Sequence, residues 1–174
     1  EFKTTGNVID DRGRNLIKSF EVKGMIVNTK SFKVPHFINR VAYKYFRPSK
    51  AKRSYEHACL LIDKNIGTPQ PLAYFEYFNS YGIQESYYFS QHLDYDLTYR
   101  ELRLKPAYPD QEKILRQFTQ FTYALHEEGV YFKDHSAGNT LIVKNGDDYL
   151  FYLIDLNRMD FYQLDVDARM KNFS

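Results

Sequence analysis

The chain carries one cysteine, no tryptophan, and only 8 glycines and 6 prolines in 174 residues. A lone cysteine excludes an internal disulfide and a cysteine-built zinc site, and it fits a reducing compartment. Cys59 sits among Ala58, Leu60, Leu61 and Ile62, the setting of a small buried apolar residue. His57, His92, His126 and His135 have no zinc-ligand spacing. Neither a G-x-G-x-x-G phosphate loop nor the G-x-S-x-G turn of a serine hydrolase occurs. No apolar run approaches the roughly 20 residues that span a bilayer. No secretory signal is visible, although the chain opens at Glu1 rather than Met. The net charge of +2 is too small to imply nucleic acid, and no nucleic-acid partner is expected.

Aromatic residues are plentiful instead, 16 Tyr and 14 Phe, enough for a substantial core. The length suits one domain or one compact two-lobed unit. Alternation predicts strands at Asn15–Val22 and Met25–Phe32, the second with Met25, Val27 and Thr29 on one face and Ile26, Asn28 and Lys30 on the other. Asp10–Gly13 reads as a turn, with Gly13 at the tip of a hairpin. Pro35 opens a helix over His36–Phe46. Ser49 caps the next helix, whose stripe is Ala51, Tyr55, Ala58, Cys59 and Ile62, and Asn65 and Gly67 close it. Strands at Leu72–Phe78 and Ser86–Leu93 flank a turn at Asn79–Gly82. A linker near Asp94–Asp96 leads to a short helix at Thr98–Leu104. Asp110 then caps the longest helix, with Ile114, Leu115, Phe118, Phe121 and Leu125 on its apolar stripe and Gly129 at its end.

Two short segments carry chemistry. In Tyr131–Asn139, Asn139 follows Asp134 by five residues; in Leu153–Asn157, Asp155 ends an apolar run. Between them Thr140–Val143 and Tyr149–Ile154 read as strands joined at Asn145–Gly146, so a hairpin returns Asp155 to Asn139. This is the catalytic-loop and metal-loop pattern of kinase-type phosphoryl transfer. One carboxylate accepts or orients the proton of an attacking hydroxyl. An amide oxygen and a second carboxylate hold Mg²⁺, which prefers hard oxygen ligands. The spacing alone also suits an Asp that merely turns the chain. The flanking hairpin favours the site.

The order of elements resembles the protein-kinase-like fold. Thr29–Lys30–Ser31–Phe32–Lys33–Val34–Pro35, Phe46–Arg47–Pro48–Ser49–Lys50–Ala51–Lys52–Arg53–Ser54–Tyr55–Glu56 and Asn65–Ile66–Gly67–Thr68–Pro69–Gln70–Pro71–Leu72–Ala73 resemble the lipopolysaccharide kinase family, the Kdo kinases and WaaP-like proteins. The resemblance covers most of residues 10–174. It implies an α+β fold with two lobes: an N-terminal antiparallel sheet with a helix packed on it over about residues 1–93, a hinge at 94–97, and a helical, truncated C-terminal lobe over 98–174, with a cleft between them. It implies ATP and Mg²⁺ as cofactors, with Lys30 on the α- and β-phosphates and Glu56 holding Lys30. Gly13 and His92 join Lys30 in the nucleotide set. Asp134 is the implied base, and Asn139 and Asp155 the implied metal ligands. The implied reaction is transfer to a sugar hydroxyl of Kdo–lipid A at the cytoplasmic face of the inner membrane.

Alternatives stand beside this reading. Val41–Ala42–Tyr43–Lys44 looks like the strand motif that carries the kinase lysine, although helical periodicity over 36–46 places Lys30 ahead of Lys44. Phe132 stands where the pattern has His, and Asp155 precedes Leu156–Asn157 rather than Phe-Gly, which weighs against a protein acceptor. Another small-molecule or protein kinase, or a non-catalytic nucleotide-binding module, are the other readings. Arg40, Lys44, Arg47, Lys50, Lys52 and Arg53 form a basic stretch, either a solvated face or a contact with an anionic membrane surface or phosphorylated lipid A.

Overall fold

A computed structural model describes residues 6–11, 15–33 and 47–173. Gly13, Lys44, Arg40 and the predicted helix at 36–46 lie outside the described residues. The protein is α+β, and every strand pair is antiparallel. It forms two compact units, Glu1–Cys59 with Pro69–His92, and Leu60–Thr68 with Leu93–Ser174.

The first unit is built on a five-stranded sheet in the order β1-β2-β3-β5-β4. Its strands are β1 (Asn7–Asp11), β2 (Asn15–Val22), β3 (Met25–Phe32), β4 (Pro71–Asn79) and β5 (Gly82–Gln91). β3 falls where alternation places it, with Val27 and Thr29 buried. β5 starts four residues before the predicted Ser86, because only Ser80 and Tyr81 remain outside the β4–β5 ladder, which closes at Asn79 and Gly82. Gly82 has φ 105°, a region open to glycine.

Helix α1 (Lys50–Asp63) begins at Ser49, whose Oγ accepts the Lys52 N–H at 3.0 Å. Such a cap is worth about 1 kcal/mol. Its small residues Ala51, Ser54 and Ala58 are fully buried, and Tyr55 packs its ring 5.5 Å from Tyr74 of β4. Cys59 is half-buried rather than buried. The helix ends at Asn65, φ 58°, with Asn65 N–H donating to Ile62 O and Ile66 N–H donating to Leu61 O. That is the two-bond left-handed stop, and it brings buried Leu61 and Ile66 together. Gly67 serves a different purpose. A Cβ there would meet the Phe151 carbonyl oxygen at 2.2 Å, so only glycine lets the chain run this close to its neighbour.

In the second unit, β6 (Leu97–Thr98), β8 (Thr140–Asn145) and β9 (Asp148–Leu153) form one sheet, and β7 (Val130–Phe132) pairs with β10 (Met159–Phe161). Helices α2 (Tyr99–Leu104), α3 (Gln111–Glu127) and α4 (Val166–Phe173) complete it, so this unit is mixed rather than wholly helical. Thr98 and Glu101 cap α2 reciprocally. The β8–β9 loop is Gly146–Asp147, with Asn145 as the last paired residue.

Asp110 stands at the N-cap of α3 but makes no cap bond. Its backbone is left-handed, and its carboxylate accepts the Tyr149 hydroxyl instead. The buried face of α3 is Ile114, Phe118, Thr122, Leu125 and His126, whereas the predicted Leu115 is exposed. Thr122 and His126 can be buried because each is satisfied, Thr122 by donating to Phe118 O and His126 through Asn172 of α4. Leu97, Leu102, Ile114, Phe118, Ile142, Tyr149 and Phe151 form the core, with Tyr99 stacked on Phe118 at 4.2 Å.

Candidate active site

The β8–β9 ladder pairs Thr140 with Leu153, and Ile154 N–H donates to Asn139 O at 2.9 Å. Asn139 is therefore one residue and Asp155 two residues beyond the ladder on its two strands, at the same end of the hairpin. Asp155 has φ 61°, so the chain turns sharply at the carboxylate that the sequence singles out. Asn157 Nδ2 donates to Asp155 Oδ1 at 2.7 Å and fixes that turn.

Asn139 also closes the loop that precedes it. Its Nδ2 donates to the Asp134 carbonyl at 2.9 Å, which leaves Oδ1 as the end able to face a cation. Ser136 N–H donates to Asp134 O and Asn139 N–H to Ser136 O, so the loop is two consecutive tight turns. The Asp134 carboxylate, 28% exposed, accepts Arg158 Nη1 at 2.8 Å on Oδ1. Arg158 is set there by backbone pairing: Lys133 N–H donates to Arg158 O, one step beyond the Phe132–Met159 pair of β7 and β10. Lys133 itself pairs with Asp160.

The floor of the loop is Asn172. Its Nδ2 donates to Phe132 O at 2.7 Å, and its Oδ1 accepts from His126 Nε2 and from the Phe132 N–H. His135 packs between Phe118 and Phe132 and bonds Asn172 O through Nδ1 at 3.2 Å. A carbonyl only accepts, so Nδ1 carries the proton and the buried Nε2 is a bare acceptor. Burial pushes the His135 pKa below the ordinary histidine value; the Asn172 bond opposes this, and nearby His126 adds to it. Against Gly138 lies the guanidinium of Arg100, 2.7 Å from where a Cβ would stand.

Asn139 offers an amide oxygen and Asp155 a carboxylate, and among the described residues no cluster of three or more His, Cys, Asp or Glu could hold a metal. A pair of hard oxygen donors suits an ion that keeps water and phosphate oxygens as its other ligands, which is the habit of Mg²⁺. An open depression of about 350 Å³ lies at the other end of the β7–β10 ladder, lined by Lys64, Glu128, Gly129 and Tyr162, and holds none of these residues.

These arrangements belong to a fold already seen in a solved structure. The fold resembles that of WaaP. The structure of WaaP in complex with acyl carrier protein matches with a TM-score of 0.65 at 18% identity, covering 97% of this chain and 68% of that one. No protein-family model and no curated protein matches. Solved chains that match number 442, and the likeness speaks for architecture alone.

Within the first unit, the register sets Lys30 beside Ile17 and Tyr88, on the sheet face where Tyr74 meets Tyr55 of α1. Its Nζ lies 5.4 Å from the Phe32 ring centre. Burial pushes the phenol of neighbouring Tyr88 well above its usual range. Glu56 is exposed and pairs with Lys52 at 3.8 Å within its own helix. His92 bonds Asn28 Oδ1 through Nδ1 at 3.1 Å, and its N–H donates to Ile26 O at the end of the β3–β5 ladder.

Sequence reasoning missed Arg158, Asn157, Asn172 and Arg100. Asn157 and Arg158 were within reach, being two and three residues past Asp155 in the same turn. Asn172 and Arg100 come from other helices and carry no local signal.

Proposed function

We propose that this protein is an ATP- and Mg²⁺-dependent phosphotransferase acting on a sugar hydroxyl of the lipopolysaccharide inner core. One observation carries the reading: the hairpin brings Asn139 and Asp155 to one end, and Asn139 ties itself to the loop of Asp134. In this reading Asp134 accepts the acceptor's hydroxyl proton through Oδ2, which has no bond among the described residues. Asn139 Oδ1 and Asp155 would hold Mg²⁺, which would supply positive charge beside the phosphates. Lys30, Glu56, Gly13 and His92 are the nucleotide-side residues of the proposal. Phosphoryl transfer needs little covalent help from protein, so positioning and charge supply most of the rate.

The expected partners are a Kdo-bearing lipid A and, through exposed Arg47 and Lys50 with half-exposed Lys52, an anionic membrane surface at the cytoplasmic side of the inner membrane. Among the described residues no helix is long and apolar enough to cross a membrane. The acyl carrier protein bound by the solved WaaP is a further partner to test by co-purification.

The test is acceptor-dependent ADP release with Kdo–lipid A. Asp134→Asn and Asp155→Ala should each abolish it while unfolding as the native chain does. Near-normal turnover by purified Asp155→Ala would remove the assignment. Stabilisation by ATP that ignores Mg²⁺ would favour a non-catalytic nucleotide-binding module.

A further inference from the structure

The loop from Asp134 to Asn139, Asp-His-Ser-Ala-Gly-Asn, contains no lysine or arginine. A phosphoryl-transfer centre gathers negative charge, and a carboxylate base there must stay aimed at one hydroxyl. The structure supplies a cation from elsewhere. Arg158 Nη1 bonds Asp134 Oδ1 at 2.8 Å, and it does so from a backbone position fixed by the Lys133–Arg158 bond and by the β7–β10 ladder. The same turn holds Asp155 through Asn157. One four-residue stretch, Asp155 to Arg158, thus carries a proposed metal ligand, the residue that fixes it and the residue that fixes the base.

We infer that Arg158 is the positioning residue for Asp134. Its guanidinium occupies Oδ1 and so presents Oδ2 to the acceptor hydroxyl. This rests on the reading of Asp134 as base given above. Arg158 is 59% exposed and its guanidinium reaches Asp134 through one nitrogen, so its removal leaves no buried group stranded. Its role is in the aim of Asp134, and a planar fork serves this better than an ammonium.

The test has two arms. In the kinetic arm, Arg158→Gln should lower kcat by about 10²-fold, the scale of a misplaced catalytic group, with KM for ATP unchanged. Arg158→Lys should recover part of that loss. Unchanged kcat in Arg158→Gln, or a loss confined to KM, would overturn the inference. In the second arm, nitrogen-15 NMR of the arginine side chains in the native protein should show slowed rotation of the Arg158 Nη groups that vanishes in Asp134→Asn. Rotation already fast in the native protein would overturn the inference whatever the activity. A native protein with the NMR signature but no turnover on any acceptor would instead defeat the proposed function.

Discussion

Asn172 grips the Phe132 residue from both sides, donating Nδ2 to its carbonyl at 2.7 Å and accepting from its N–H at 3.4 Å. The same amide oxygen takes His126 Nε2, so one side chain from the last helix satisfies three buried groups under the Asp134 loop. Asn172→Ala would strand them. Buried polar groups without partners cost about 1–3 kcal/mol. Thermal unfolding should shift down by about 2–4 °C for each kcal/mol lost, and an unchanged midpoint would show that α4 does not support the loop.

Gly67 and Gly138 should respond differently to alanine. At Gly67 the new Cβ meets the Phe151 backbone oxygen, which cannot step aside. Gly67→Ala should cost about 1–3 kcal/mol or more, as overpacking does. At Gly138 the obstacle is the tip of Arg100, a flexible side chain, and Gly138→Ala should change stability by no more than about 0.5 kcal/mol. Urea titration of the two variants side by side decides this.

His135 makes stability pH-dependent. Burial holds its folded pKa below the unfolded value, so the unfolded chain takes up the proton first. The sign follows from linkage: the contribution is complete above about pH 6.5 and is lost as pH falls through the folded pKa, at up to about 1.4 kcal/mol per pH unit. Urea unfolding at pH 7.5, 6.5 and 5.5 should show this fall in the native protein and a shallower one in His135→Phe. Parallel curves would show that His135 does not control the slope.

Asn157 has a narrower expected effect. It touches Asp155 rather than any proposed nucleotide contact. Asn157→Ala should raise the Mg²⁺ concentration for half-maximal turnover by about 10–100-fold, the range for a residue that orients a metal ligand. A rise in KM for ATP at saturating Mg²⁺, with Mg²⁺ dependence unmoved, would contradict it.

The parts of the fold legible in the sequence are those whose causes are local. β3, α1 and the β8–β9 hairpin announce themselves by alternation, by Ser49 and by Asn145–Gly146, because each cause lies within a few residues of its effect. The nearness of Asn139 and Asp155 was legible for the same reason, since one hairpin joins the two, whereas the role of either with Asp134 is a proposal. Asp110 shows the limit: the residue type suits a cap, but a tyrosine 39 residues away takes its carboxylate. β10 and α4 were not foreseen, being three and eight residues long, too short for periodicity to rise above chance. His126 was absent from the predicted stripe because its burial depends on Asn172, a partner 46 residues distant.

The segment from Leu60 to Thr68 belongs to the second unit although the chain returns to the first immediately afterwards. Thr68 donates its hydroxyl to Leu153 O, and Leu153 N–H donates to Gly67 O. During synthesis Thr68 emerges 85 residues before Leu153, so the segment finds its place only after that stretch has followed it. A shortened gene starting at Leu93 would omit buried Leu61 and Ile66 and leave the outer edge of β9 bare, inviting strand addition between copies.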